Sequence, residues 1–161
     1  MLVVADATPL RYLTLIEHVT ILPTLYGRIV IPKAVMDELQ HPHAPAPVRT
    51  LLTALPAWLE VRQVHLTPVG DLLRLGAGES EAIRLAQELN ADLLLMDDWA
   101  GRQAAEQRTL HVIGTLRVVE FAAERGLLDL PTVLARLQEI NFYMSEALLR
   151  DLLTRDAARK A

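Results

Sequence analysis

Short apolar runs alternate along this chain with longer segments whose apolar positions recur every three or four residues. Leu2 to Ala5, Ile29 to Ile31, Leu93 to Met96 and Val112-Ile113 show no polar alternation. Runs this short, set between helical segments, suit strands covered on both faces of a parallel sheet. Leu59, Val61 and Val64 instead alternate with other residues, which predicts an edge strand. The intervening spacing predicts helices. Leu10, Leu13, Ile16 and Val19 mark the first, with Thr8 as N-cap and Pro9 at the first helical position. Pro32 opens a second, with Val35, Met36 and Leu39 inward. Others are expected over 48–55, from Thr67-Pro68 to Leu75, and from Gly78 onward with Ala82, Ala86 and Leu89 facing the core. Further helices follow over Trp99 to Gln107, Leu116 to Arg125, Pro131 to Glu139, and from the N-cap Ser145 to about Ala158. Strands alternating with helices predict a three-layer α/β domain with a mostly parallel sheet. Residues 1–161 read as one domain, the helices over about 130–158 packed on it or appended to it.

Composition narrows the classes. The hydrophobic fraction of 52% argues against disorder. No apolar run approaches the roughly 20 residues that span a bilayer. The chain has no cysteine, so disulfides, thiol nucleophiles and thiolate zinc sites are excluded. These features predict a cytoplasmic protein without membrane partners. A net charge of -4 by itself argues against a nucleic-acid binder. Aromatic residues are only 4%, which gives no compositional support for a stacking platform.

The position of the acids changes that picture. Asp6 stands at the end of the first strand, and Asp97 and Asp98 end the strand that begins at Leu93. Parallel strands share one carboxyl edge, which is where open α/β sheets bind ligands. Glu79 and Glu81 fall in the first turn of the central helix. The helix dipole alone explains acids there, but Glu81 borders the apolar face and can point along the sheet edge. Glu38 lies beside Val35 and Leu39, close to a buried stripe. Asp98 also suits the N-cap of the helix that follows. The joint expectation is a pocket of Asp6, Glu38, Glu81 and Asp98, with Asp97 and Glu79 as outer members. An all-oxygen set of this kind suits Mg²⁺ or Mn²⁺. Metal-assisted attack of water on a phosphodiester needs only such carboxylates. The Gly76-Ala77-Gly78 turn lacks the spacing of a phosphate loop. The second early Asp of haloacid-dehalogenase-type phosphatases is replaced by Thr8, and the essential Lys of response-regulator receivers has no counterpart.

Asp6-Ala7-Thr8-Pro9-Leu10, Ile31-Pro32 with Val35 and Glu38, Gly78-Glu79-Ser80-Glu81-Ala82, Leu95-Met96-Asp97-Asp98 and Ile113-Gly114-Thr115 occur in the order seen in PIN domains. The chain resembles the branch grouped as DUF3368, related to VapC-type toxins, along nearly its whole length. That resemblance implies strand order 3-2-1-4-5 and metal-dependent cleavage of RNA. By position it implies Asp6, Glu38, Glu81 and Asp98 as catalytic and metal-site acids, with Asp97 and Glu79 beside them. It also implies an RNA substrate, a small antitoxin protein as partner, and a homodimer. Leu10, Tyr12, Leu13, Leu51 and Leu52 are the expected self-association surface. Counted without those six acids, the balance is +2. Thr8, Arg11, Arg102, Thr115 and Arg117 follow strand-end motifs and are candidate phosphate contacts. The alternative to an enzyme is a catalytically silent PIN-fold binding or regulatory subunit.

Overall fold

The computed structural model describes residues 1–161. Five parallel strands form one sheet: β1 (Val3–Ala5), β2 (Ile29–Pro32), β3 (Leu59–Arg62), β4 (Leu93–Leu95) and β5 (Val112–Ile113). Their order is β3-β2-β1-β4-β5, as expected. The first strand of the chain therefore lies at the centre, with the later strands added on both sides of it. β3 is an edge strand, as its alternating pattern predicts.

Nine helices flank the sheet: α1 (Ala7–Leu15), α2 (Ile21–Tyr26), α3 (Lys33–Leu39), α4 (Ala46–Thr53), α5 (Ala77–Glu88), α6 (Trp99–Gln107), α7 (Thr115–Glu124), α8 (Leu130–Glu139) and α9 (Glu146–Lys160). Two apolar cores result. Val3, Ala5, Leu93 and Leu95 face one that includes Leu10 and Leu13 of α1 and Val118 and Val119 of α7. Val4, Leu94 and Met96 face the other, with Ala82, Ile83 and Leu85 of α5 and Ala104 and Ala105 of α6. Neighbouring strand positions point to opposite faces, so each run fills both cores at once. α8 and α9 send Leu130, Val133, Leu134, Leu137 and Leu152 into the larger core. No helix is long and apolar enough to cross a membrane.

Three expectations are corrected. The first helix stops at Leu15, and Glu17 has φ 61° before α2 begins. Helical spacing through Ile16 and Val19 hides this break, because both flanks of the turn pack inward. The helix expected up to Leu75 is a 3-10 turn, Gly70–Arg74. The supposed self-association surface is mostly core: Leu10, Leu13 and Leu52 are buried, and Tyr12 and Leu51 half-buried.

Candidate active site

β1 and β4 are direct neighbours in register, Ala5 beside Leu95. The Asp6 amide continues the ladder, donating to the Leu95 carbonyl at 2.9 Å. Asp6 and Asp97 thus leave adjacent strands at the same edge. Asp6 is almost wholly buried, and its Oδ1 has no hydrogen-bond partner. Burial raises its pKa from 3.8 to about 7; the Ala7 amide offsets part of this, and the charges of Glu79, Glu38 and Asp97 add to it.

Glu38 reaches the same place from α3. A Cβ on Gly78 would stand 2.8 Å from Glu38 Oε2 and 3.4 Å from Asp6 Oδ1. The two oxygens therefore converge over a helix position where only glycine leaves them room. Burial raises the Glu38 pKa, the Glu79 charge adds to the rise, and Arg11 opposes it. Glu79 is the third residue of α5, and its carboxylate folds back over the N-cap Gly76. That is the place from which an N-terminal Glu supports a helix start, and from it the charge is felt by both Asp6 and Glu38.

Asp97 is held from β5 and α7. Its Oδ1 accepts from the Thr115 amide at 2.8 Å and its Oδ2 from the Thr115 hydroxyl at 2.6 Å. Burial raises its pKa, while Thr115 and Arg102 lower it in part. Gly114 permits this approach: a Cβ there would lie 2.7 Å from Asp97 Oδ1 and 3.2 Å from Arg102 Nη1.

Glu81 and Asp98 are engaged elsewhere, which reverses the expected inner and outer members. Glu81 Oε2 accepts from the Ala34 amide at 2.8 Å and so caps the start of α3. Asp98 is the N-cap of α6, its Oδ2 accepting from Gly101 N at 2.7 Å. Strand parity explains the second reversal. Asp97 follows the face of Leu95, whereas Asp98 follows that of Met96, toward α5 and α6. The innermost set is Asp6, Glu38, Glu79 and Asp97. As they stand, no three of the chain's His, Asp and Glu side chains lie close enough together to hold a metal ion.

The cations divide similarly. Arg11 lies 5.4 Å from the Tyr12 ring centroid and within electrostatic reach of Glu38. Arg102 stands beside Asp97. Thr8 lines the recess next to Asp97. Arg117 turns away, pairing with Glu120 at 2.6 Å and lying over the Phe121 ring at 3.9 Å.

Four carboxylates at the carboxyl edge of a 3-2-1-4-5 parallel sheet are the decisive arrangement. The DUF3368 family model, described as a PIN domain, matches residues 2–157. The chain belongs to this PIN-domain family. A PIN domain is generally a nuclease fold. The PilT N-terminus domain protein SSO1118 from the hyperthermophilic archaeon Sulfolobus solfataricus P2 is similar in fold. At a TM-score of 0.53 and 23% identity, the match covers 91% of this PIN chain and 99% of that one. No curated protein matches the chain.

Two oxygens at this edge have the chemistry that a hard divalent cation takes. Asp6 Oδ1 is a buried oxygen without a donor, and Glu38 Oε2 shares with it a space cleared by Gly78. An oxygen-only site with several acids is the environment that Mg²⁺ and Mn²⁺ favour.

Proposed function

We propose that this PIN domain is a Mg²⁺- or Mn²⁺-dependent endoribonuclease that hydrolyses RNA phosphodiester bonds. The observation that carries the reading is the convergence of Asp6, Glu38, Glu79 and Asp97 on one edge, with Asp6 buried and one of its oxygens unpartnered. Folding places these like charges together at a cost in desolvation and repulsion, and a bound cation offsets both.

Asp6, Glu38 and Asp97 would hold the metal, with Glu79 beside them. When bound, the cation acidifies water and stabilises charge on the leaving oxygen. Thr115 fixes both oxygens of Asp97, so that carboxylate keeps one orientation. Glu38, whose Oε2 would share the cation with Asp6 Oδ1, keeps its other oxygen to hold the attacking water in place. Arg102 offers a guanidinium to substrate phosphate. Glu81 and Asp98 act through the helices they cap, keeping α3 and α6 aligned with the site.

The ribonuclease belongs to a toxin–antitoxin pair in this reading, with a small antitoxin protein as partner, a homodimer as the working form and the cytoplasm as its location. The toxin role and the antitoxin rest on the resemblance to VapC-type toxins, the homodimer on that to PIN domains, and the location on composition. The direct test is cleavage of RNA by the purified protein with Mn²⁺. Activity that disappears with EDTA and with Asp6→Asn supports the assignment. Activity that survives either one removes it, and a wild type inert toward RNA with Mn²⁺ favours a silent binding subunit.

A further inference from the structure

A groove of about 630 Å³ leads from the acid cluster to the C-terminal helix. Thr8, Asp97 and Gly114 line it at the cluster, and Leu148, Leu152 and Arg155 of α9 line it at the far end. It lies within the size range of small-ligand sites.

Its walls carry two kinds of chemistry. Arg102, Arg117 and Arg155 supply positive charge. Arg117 and Arg155 are both bound to Glu120, at 2.6 and 2.7 Å, and Glu120 is buried. Burial alone would raise the Glu120 pKa; the hydrogen bonds from Arg155 and Arg117 outweigh it and hold the group below its ordinary value. One ionised carboxylate thus positions two guanidinium groups; Glu124 lies 3.6 Å from Arg117 and balances it, which leaves Arg155 as the guanidinium of the two that is free to meet an anion. Arg155 uses its Nε for this bond, so its terminal N–H groups remain open to a ligand.

The second kind is aromatic. The chain has only 2 Trp, 3 Tyr and 2 Phe, yet Tyr12, Phe142 and Tyr143 all line this groove. Low overall content therefore conceals a local concentration. Tyr12 and Phe142 pack edge to face with centroids 4.9 Å apart, which fixes the floor. Tyr143 is 86% exposed, and its packing contributes little to the fold.

We propose that this groove holds the nucleotide next to the scissile phosphate of a single-stranded RNA, Arg102 and Arg155 meeting phosphate and Tyr143 stacking on the base. The inference rests on the ribonuclease reading and adds the path of the strand. An anionic group joined to a flat ring matches a cationic wall joined to an aromatic one. A paired base has its faces covered by neighbours, so an unpaired strand is the form that enters.

The probe is a short fluorescein-labelled single-stranded RNA, titrated in Mn²⁺ against Asp6→Asn to suppress cleavage. Adding Tyr143→Ala is expected to weaken binding about five- to a hundredfold, the range for loss of one base–aromatic stack. Tyr143→Trp restores it, and a blunt duplex of the same sequence binds more weakly than the single strand. In parallel, RNA containing 4-thiouridine is photocrosslinked to Asp6→Asn, with attachment expected in the tryptic peptide Leu137–Arg150. Equal binding with and without Tyr143→Ala, or crosslinks confined to other peptides, overturns the groove assignment. If wild type cleaves RNA while Tyr143→Ala binds normally, the groove alone fails. If Asp6→Asn binds and crosslinks as expected while wild type never cleaves, the ribonuclease reading alone fails. Absence of both binding and cleavage overturns both, and leaves the groove to a protein partner.

Discussion

Glu38 Oε2 and Asp6 Oδ1 meet over the bare Cα of Gly78, although the three residues come from α3, the end of β1 and α5. A methyl group placed there would contact Glu38 first. Because the clashing atom is the far end of a flexible side chain, Glu38 can swing aside without disturbing the backbone.

Gly78→Ala therefore separates fold from function. Gly78 lies inside α5, where Ala is preferred over Gly by roughly 0.5–1 kcal/mol. The displaced Glu38 offsets part of that gain. Thermal stability is expected to stay within about 1 kcal/mol of wild type, while Mn²⁺-dependent cleavage falls at least tenfold as the Glu38–Asp6 pair is spread. Full activity in a well-folded Gly78→Ala protein would show that the pair need not converge.

Asp6 makes stability depend on pH. Its pKa is raised from 3.8 to about 7 in the fold, so between those values the native state keeps a proton that the unfolded chain has released. Its contribution is complete below about pH 4, falls as pH rises toward 7, and is flat above. Burial of Asp6 makes the change on the order of a few kcal/mol. Asp129 and Glu120, whose pKa values are lowered, act in the opposite direction. The difference between wild type and Asp6→Asn isolates the term. In EDTA, Asp6→Asn is expected to be the more stable protein at pH 8, with the gap closing near pH 4. Denaturant melts across this range check it; a constant difference would show that Asp6 titrates alike in both states.

The sheet was legible because each strand is a short apolar run that fills two cores, a pattern independent of distant contacts. The break at Glu17 was not, since an ordinary residue at positive φ leaves no mark in apolar spacing. Asp6 was legible as a strand end. The exchange of Glu79 with Glu81 depends on how α5 lies against α3, and spacing along one helix does not encode that. Strand parity from Leu95 and Met96 was the available signal for ranking Asp97 above Asp98. The groove joins Asp97 to Tyr143 and Arg155 across more than forty residues, a relation set by the docking of α8 and α9.

Adjacent carboxylates with different duties give a paired test. Asp98 caps α6 through Gly101 N, so Asp98→Ala should cost about 1 kcal/mol of stability. It should leave most of the stabilisation by Mn²⁺ intact, since that ion acts by binding the native state. Asp97→Asn should behave the other way: Thr115 still has an oxygen to donate to, the buried charge is gone, and the Mn²⁺ response shrinks. Melting curves with Mn²⁺ and with EDTA read both effects. An Asp98→Ala protein that loses the Mn²⁺ response, beside an Asp97→Asn protein that keeps it, would reverse the assignment.

Glu38 carries the sharpest prediction, because an acid on a helix flank is most often a solvated one. Were that its role, Glu38→Gln would change stability by less than about 0.5 kcal/mol and leave activity alone. Its place against Asp6, with burial and the Glu79 charge raising its pKa, gives a different expectation. Gln keeps the shape and one carbonyl oxygen but removes the charge and the capacity to accept a proton. The mutant should fold normally, with a small gain in EDTA from relieved repulsion. It should bind single-stranded RNA at least as well as wild type, since one negative charge near the phosphate is gone. Its cleavage rate should fall about a hundredfold or more, the usual cost of removing a general base or a metal-site acid. Single-turnover cleavage at saturating Mn²⁺, run beside an RNA-binding titration, separates the rate from the affinity. Wild-type cleavage by Glu38→Gln would take Glu38 out of the chemistry and leave Asp6 and Asp97, with Glu79, to hold the metal.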